Sequence, residues 1–142
     1  MRIMHKFFSL ILAIMIIVPL QVFAMPDVKE ALSNVEFTGI NDENTKINAY
    51  EGKIILLFFG YTHCPDICPT TLLDISRSLK ELGKDADKVQ AVFVSVDYKR
   101  DTPKYLKEYV DYFDKRIIGL TSNKKNIDKL NKYFKTTYAL LD

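Results

Sequence analysis

The sequence has no excess of charge of either sign, and this absence argues against two classes of function. Its formal net charge is +2, and both positive units come from Arg2 and Lys6, so residues 25–142 carry 18 basic and 18 acidic side chains. Without a basic patch, nucleic-acid binding is not expected, and without an acidic excess neither is a strongly cationic partner. Internal repeats and low-complexity tracts are also absent. Because 48% of the 142 residues are apolar, the sequence predicts one folded domain with a sizeable core.

Residues 1–24 have the three-part layout of a secretory signal. Two basic residues are followed by an apolar stretch at 7–20 and by a plausible cleavage site that ends at Ala24. The apolar stretch is shorter than the ~20 residues that a membrane span usually needs, so a cleaved signal peptide is slightly favoured over a membrane anchor. Either alternative predicts that residues 25–142 form a domain outside the cytoplasm, periplasmic or anchored to the outer side of the inner membrane.

Three apolar runs of strand length alternate with three segments of helical periodicity. The strands are predicted at 54–60, 89–96 and 117–120. The helices carry apolar residues on one face, namely Leu72, Ile75, Leu79 and Leu82, then Leu106, Tyr109, Val110 and Phe113, then Ile127, Leu130 and Phe134. This alternation predicts an α/β fold with a mostly parallel sheet. The continuous apolar run at 54–60 predicts a central strand that is buried on both faces.

Turn and cap signals predict where other elements begin. Residues 35–40 and 46–50 flank the turn-rich stretch NDENT and predict an N-terminal β-hairpin. Thr102 is predicted as the N-cap of the second helix, with Pro103 at its first position. Ser122 is predicted to cap the third helix.

Both cysteines of the chain lie in one short stretch, FFGYTHCPDICPTTL, at residues 58–72. Cys64 and Cys68 follow the first predicted strand and precede a helix. A helix N-terminus stabilises anions, so it favours the thiolate, which is both a nucleophile and a metal ligand. A structural disulfide would stabilise little, because closing a ring of five residues is worth only ~2 kcal/mol. A structural disulfide, a redox pair and a soft-metal site nevertheless all remain open.

Two thiolates are soft donors that suit Cu(I), whereas structural zinc usually takes four protein ligands. His63 precedes Cys64 directly. Adjacent residues of an extended segment point to opposite sides, so His63 and Cys64 should diverge. We therefore predict that His63 packs or forms a hydrogen bond within the loop instead of binding the metal.

A second stretch, VFVSVDYKRDTPKYLKEY, lies at residues 92–109. Together with the cysteine stretch it resembles the two signatures of the Sco/SenC family, which are thioredoxin-like proteins of cytochrome oxidase biogenesis. The resemblance covers roughly residues 35–134. Cys64 and Cys68 match the copper and redox cysteines of the family, and the second signature is matched by Asp97, Arg100 and Asp101. Tyr98 stands where the family usually has proline.

The resemblance implies a thioredoxin-like domain that is held on the outer side of an energy-conserving membrane. It implies copper as the cofactor, bound by both cysteines and by a histidine near the C-terminus. The implied partner is subunit II of cytochrome c oxidase or another cysteine-containing copper protein. The family either delivers copper to the binuclear centre of that subunit or reduces its cysteines.

In the family, the ligand histidine follows a late strand beyond the third helix, whereas this sequence ends at Asp142. We therefore expect an incomplete thioredoxin-like domain at 25–142 that lacks the C-terminal hairpin and helix. Such a domain should leave the strand at 54–60 or its neighbour with an unpaired edge. It should also leave apolar faces partly uncovered at Leu72, Ile75, Leu106 and Val110.

Three alternatives for the role of this chain follow from these observations. The first is a copper-binding assembly factor, a metallochaperone that binds Cu(I) through Cys64 and Cys68. The second is a thiol–disulfide oxidoreductase that uses the same two cysteines as a redox pair on partner proteins. The third is a non-functional truncated fragment.

Overall fold

The structure is a computed structural model that describes residues 32–38, 44–45, 50 and 52–140. Its strands are β1 (Phe37–Thr38), β2 (Asn44–Thr45), β3 (Ile54–Gly60), β4 (Val89–Ser95) and β5 (Ile117–Leu120). Its α-helices are α1 (Ile67–Glu81), α2 (Pro103–Phe113) and α3 (Lys124–Phe134), and a 3-10 helix spans Gly83–Lys88. The predicted alternation of three strands with three helices is therefore confirmed.

The predicted signal peptide or anchor at residues 1–24 lies outside the described residues, as does the start of the predicted domain at Met25. Within the described part of the chain, no helix combines the length and the apolar character that a membrane crossing requires.

The main sheet has the strand order β3-β4-β5, and both neighbouring pairs are parallel. The central strand is β4, in which six of seven residues are buried. The prediction that 54–60 is the central strand is wrong, because β3 pairs only with β4 among the described residues. Ile54 and Leu56 are accordingly 68% and 40% exposed. As far as the described residues show, the edge of β3 that faces away from β4 is unpaired, as expected.

Alternate residues of β4 point into two separate cores. Val92 and Val94 pack with residues of α3 and β1 on one face. Ala91 and Phe93 pack with α1 and α2 on the other face. Burial on both faces explains why β4 is almost continuously apolar.

The prediction of partly uncovered helix faces is wrong for three of its four residues. Leu72, Leu106 and Val110 are at most 1% exposed, because α1 and α2 cover the same face of the sheet. Only Ile75 is half-buried, as expected. The residues described after α3, 135–140, contain neither helix nor strand.

The N-terminal hairpin exists, but its second strand lies earlier than predicted. β1 pairs antiparallel with β2, with Phe37 opposite Thr45. The residues of β2 therefore lie in the stretch NDENT, which was predicted as a turn. Residues 46–49 of the predicted second strand lie outside the described residues. A hydrogen bond of 2.8 Å from Thr38 N–H to Thr121 C=O attaches β1 beside β5.

The helix caps confirm one prediction and correct another. The Thr102 side chain accepts a hydrogen bond from the N–H of Tyr105, and Pro103 begins α2, as predicted. The cap of α3 is Asn123, whose side chain accepts from the N–H of Asn126. Ser122 is not the cap: it lies one position before Asn123, and its hydroxyl donates to the carbonyl of Glu36 at 2.6 Å.

Candidate metal centre

The two cysteines come together where β3 ends and α1 begins. Cys64 lies in the connecting loop, and Cys68 is the second residue of α1. Both are free thiols, and their exposed fractions are 9% and 3%. The backbone N–H of Cys68 lies 3.4 Å from the sulfur of Cys64 and donates to it. The predicted placement of the pair at a strand end and a helix N-terminus is therefore observed.

The surroundings give the two thiols different acidities. Burial opposes ionisation of Cys64, but hydrogen bonds from the Cys68 thiol, from the N–H groups of Asp66 and Cys68 and from Tyr61 outweigh it and lower the pKa of Cys64. Burial, together with the hydrogen bond to Cys64, raises the pKa of Cys68 to about 11. The first proton to leave is therefore that of Cys64, and the resulting state is a thiolate paired with a thiol.

Gly60 makes room for this pair. A Cβ atom at Gly60 would lie 3.0 Å from the sulfur of Cys68 and 2.6 Å from Cε2 of Phe93. The backbone carbonyl of Gly60 also accepts the N–H of Val96 at 2.9 Å. No role for Gly60 was predicted from the sequence, although a glycine within a strand is a recognised sign of close approach by another group.

Asp101 of the second signature is bonded to the loop at residues 61–66, which connects β3 to α1 and is called the cysteine loop here. The carboxylate of Asp101 accepts the backbone N–H of Thr62 at 3.0 Å and the hydroxyl of Thr62 at 2.6 Å. It also accepts the hydroxyl of Ser95 at 2.5 Å. The roles of Thr62 and Ser95 were missed. Their placement could have been expected, because the carboxyl ends of neighbouring parallel strands meet at one edge of the sheet.

His63 forms a hydrogen bond within the loop, as predicted. Its Nδ1 lies 3.0 Å from the hydroxyl oxygen of Thr62 and 3.8 Å from the carboxylate of Asp101. His63, Asp97 and Asp101 are close enough to hold a cation. However, Asp101 already accepts three hydrogen bonds, and Asp97 is paired with the guanidinium of Arg100. These three side chains therefore form a polar network around the loop, and the soft donors lie elsewhere.

A cavity of about 540 Å³ opens beside the two sulfurs. Its walls come from the end of β3, the cysteine loop and the segment that follows α3, and they include Tyr61, His63, Cys64, Cys68, Arg100 and Tyr138. Two adjacent thiols that face a cavity fit a soft monovalent ion such as Cu(I).

The model of the SCO1/SenC family matches residues 26–142. The chain belongs to the SCO1/SenC family. It is 41% identical over 101 residues to an SCO2-like protein of Rickettsia felis, covering 69% of this chain and 49% of that protein. It is 37% identical over 105 residues to a putative copper-binding protein of Stutzerimonas stutzeri, covering 73% of this chain and 52% of that protein. The chain thus spans about half the length of these curated relatives.

Solved structures of the family share the fold. Bradyrhizobium japonicum ScoI with copper bound is 44% identical and superposes with a TM-score of 0.66, covering 71% of this chain and 64% of that one. BsSco, described as a member of the Sco family of cytochrome c oxidase assembly proteins with a disulfide switch, is 26% identical with a TM-score of 0.59, covering 72% and 63%. The predicted thioredoxin-like α/β fold is therefore confirmed for this SCO1/SenC chain.

Proposed function

We propose that this SCO1/SenC chain is a copper-binding assembly factor that binds Cu(I) through Cys64 and Cys68. The observation that carries the proposal is the pair of free, buried and hydrogen-bonded thiols that opens into a cavity. A relative from Bradyrhizobium japonicum with copper bound supports the choice of metal. The description of BsSco as one of the cytochrome c oxidase assembly proteins supports cytochrome c oxidase as the destination, and within it we propose the binuclear copper centre of subunit II.

In this function the two cysteines are the metal ligands. Cys64 offers a thiolate readily, whereas the high pKa of Cys68 means that its proton leaves only when the metal replaces it. Copper loading therefore releases protons, and the apparent affinity rises with pH.

A competition titration tests the proposal. The reduced 142-residue chain is titrated with Cu(I) in the presence of a chromophoric Cu(I) chelator, and we expect one tightly bound ion per chain. Cys64→Ser and Cys68→Ser should each abolish tight binding. Ser78→Ala, on the exposed side of α1, is the matched control and should bind as the parent does. Tight Cu(I) binding by the double serine variant would overturn the proposal.

The unequal acidity of the thiols favours a second candidate, thiol–disulfide exchange with a partner protein. The Cys64 thiolate would attack a partner disulfide, forming a mixed disulfide and releasing one partner thiolate, which takes up a proton. Cys68 would then lose its proton and displace the second partner sulfur. The partner gains two electrons as a dithiol, and Cys64–Cys68 becomes the disulfide. Stoichiometric reduction of an oxidised copper-site protein in the presence of a Cu(I) chelator supports this candidate, and its absence excludes it.

We further propose that residues 1–24 act as a signal peptide or a membrane anchor and place the domain at 25–142 outside the cytoplasm. Arg2 and Lys6 would keep the N-terminus inside. A reporter fused after Asp142 should be active only if it is one that requires export. Activity of a reporter that works only in the cytoplasm would contradict this placement.

A further inference from the structure

A buried carboxylate holds the beginning of the cysteine loop. The side chain of Asp101 is fully buried, and its two oxygens accept three hydrogen bonds. Two of these come from Thr62, one from its backbone and one from its hydroxyl. A residue that is bonded through both its main chain and its side chain is fixed in position and in rotamer. Asp101 therefore fixes Thr62 across 39 positions of sequence.

The fixed position of Thr62 also constrains the backbone at Cys64. The N–H of Cys64 donates to the carbonyl of Tyr61 at 3.3 Å, which closes a tight turn around Thr62 and His63. The two corner residues of that turn have no freedom to rotate without breaking either this bond or the bonds to Asp101. Asp101, a residue of the second signature, thus determines the path of the backbone that leads into Cys64.

The same bonds fix the proton on His63. The hydroxyl of Thr62 has one proton, which it donates to Asp101 at 2.6 Å. Its 3.0 Å contact with Nδ1 of His63 therefore requires that Nδ1 carries a proton and donates it to the hydroxyl oxygen. In the neutral ring, this arrangement leaves the lone pair on Nε2. The half-exposed ring lies beside Tyr105, with 6.1 Å between ring centroids.

We propose that Asp101 is a positioning residue of the thiol pair, which through Thr62 fixes the backbone turn into Cys64 and the Nδ1–H tautomer of His63. It touches neither sulfur in this role. For its copper readout the proposal rests on the proposed function, while its tautomer readout does not. Groups that orient the metal ligands without binding the metal themselves typically contribute 10- to 100-fold to metal affinity.

A purely electrostatic role for Asp101 would have the opposite effect. A carboxylate near two thiolates opposes their formation, so its removal alone would strengthen Cu(I) binding. Loss of positioning instead weakens binding. The sign of the change in affinity therefore separates the two roles, and a change in folding stability alone accounts for neither.

The experiment compares Thr62→Val with Thr62→Ser in the full, reduced chain. Valine has nearly the shape of threonine but no hydroxyl, whereas serine keeps the hydroxyl. Asp101→Asn is the third variant, and a denaturant unfolding curve for each variant verifies that it is folded. Nitrogen-15 NMR of the metal-free protein reports the His63 tautomer, with His63→Gln used to separate its signals from those of His5. Competition with a chromophoric chelator reports the Cu(I) affinity.

We expect Thr62→Val to lose the Nδ1–H preference of His63 and to bind Cu(I) about 10- to 100-fold more weakly. Thr62→Ser should resemble the parent chain in both measurements. Asp101→Asn keeps only one acceptor oxygen for three donors, so it should bind Cu(I) more weakly than the parent chain does. An unchanged tautomer in Thr62→Val overturns the proposal, as does stronger Cu(I) binding by Asp101→Asn. If the parent chain binds no Cu(I), the proposed function fails, and the His63 tautomer in Thr62→Val alone then decides the positioning role.

Discussion

Replacing Gly60 with alanine should destabilise the fold and disturb the thiol pair at once. The added Cβ would lie 2.6 Å and 3.2 Å from two ring atoms of Phe93 and 3.0 Å from the sulfur of Cys68. Phe93 cannot move aside, because it is fully buried and packs against Phe58 and Tyr109 with 5.5 Å and 6.0 Å between ring centroids. Inserting a methyl group into such a packed site typically costs about 1–3 kcal/mol.

The assay is urea unfolding of the reduced chain, followed by titration with Cu(I). Gly119→Ala is the matched control, because its Cβ would lie 3.0 Å from Cβ of Leu106 and 3.1 Å from the carbonyl oxygen of Leu106, away from the cysteines. Both variants should lose about 1–3 kcal/mol of unfolding free energy, but only Gly60→Ala should also weaken Cu(I) binding. The reasoning is refuted if Gly60→Ala is as stable as the parent chain and binds Cu(I) equally well.

Three further predictions concern single groups. Thr102→Ala removes the N-cap of α2 and should lower the unfolding free energy by about 1 kcal/mol, whereas Thr102→Ser should not; equal urea curves for all three proteins would contradict this. The hydrogen bond from Arg116, with lesser contributions from other groups, lowers the pKa of Asp114 to about 2. Because that pKa is below the unfolded value of about 3.9, the stabilisation is complete above pH ~4 and is lost as the pH falls towards 2. The unfolding free energy of Asp114→Asn should therefore depend less on pH over that range than that of the parent chain. An equal pH dependence in the two proteins argues against the pair of Asp114 and Arg116. In the metal-free reduced chain, iodoacetamide at pH 7–8, about one unit below the usual thiol pKa, should label Cys64 before Cys68. Peptide mapping measures the two labelling rates. Faster labelling of Cys68 would show that the assigned acidities are reversed.

The sequence predicts best those elements whose signals are local. The strand at Val89–Ser95 is almost continuously apolar, and both of its faces are buried. The start of α2 follows from Thr102 and Pro103, since a capping hydroxyl and a fixed φ act within one turn of helix. The placement of the two cysteines at a strand end and a helix start is equally local.

What the sequence does not predict depends on distant partners. The exposure of Ile54 and Leu56 follows from the position of β3 at the sheet edge, which an apolar run cannot reveal. Asn123 caps α3, whereas Ser122 is bonded to Glu36, 86 positions earlier in the chain, a contact that no local pattern indicates. The bonds from Thr62 to Asp101 likewise depend on the pairing of β3 with β4: the topology brings the two strand ends together, but the individual bonds follow from no local pattern.

X-ray absorption at the copper edge tests the central claim most directly, because it reports the atoms that surround the bound ion. The reduced 142-residue chain is loaded with one equivalent of Cu(I), and its spectrum is compared with that of the Cys64→Ser, Cys68→Ser double variant treated in the same way. We predict two sulfur neighbours for each copper in the parent chain and none in the double variant. A copper shell of nitrogen and oxygen alone in the parent chain would contradict the assignment of Cys64 and Cys68 as the metal ligands.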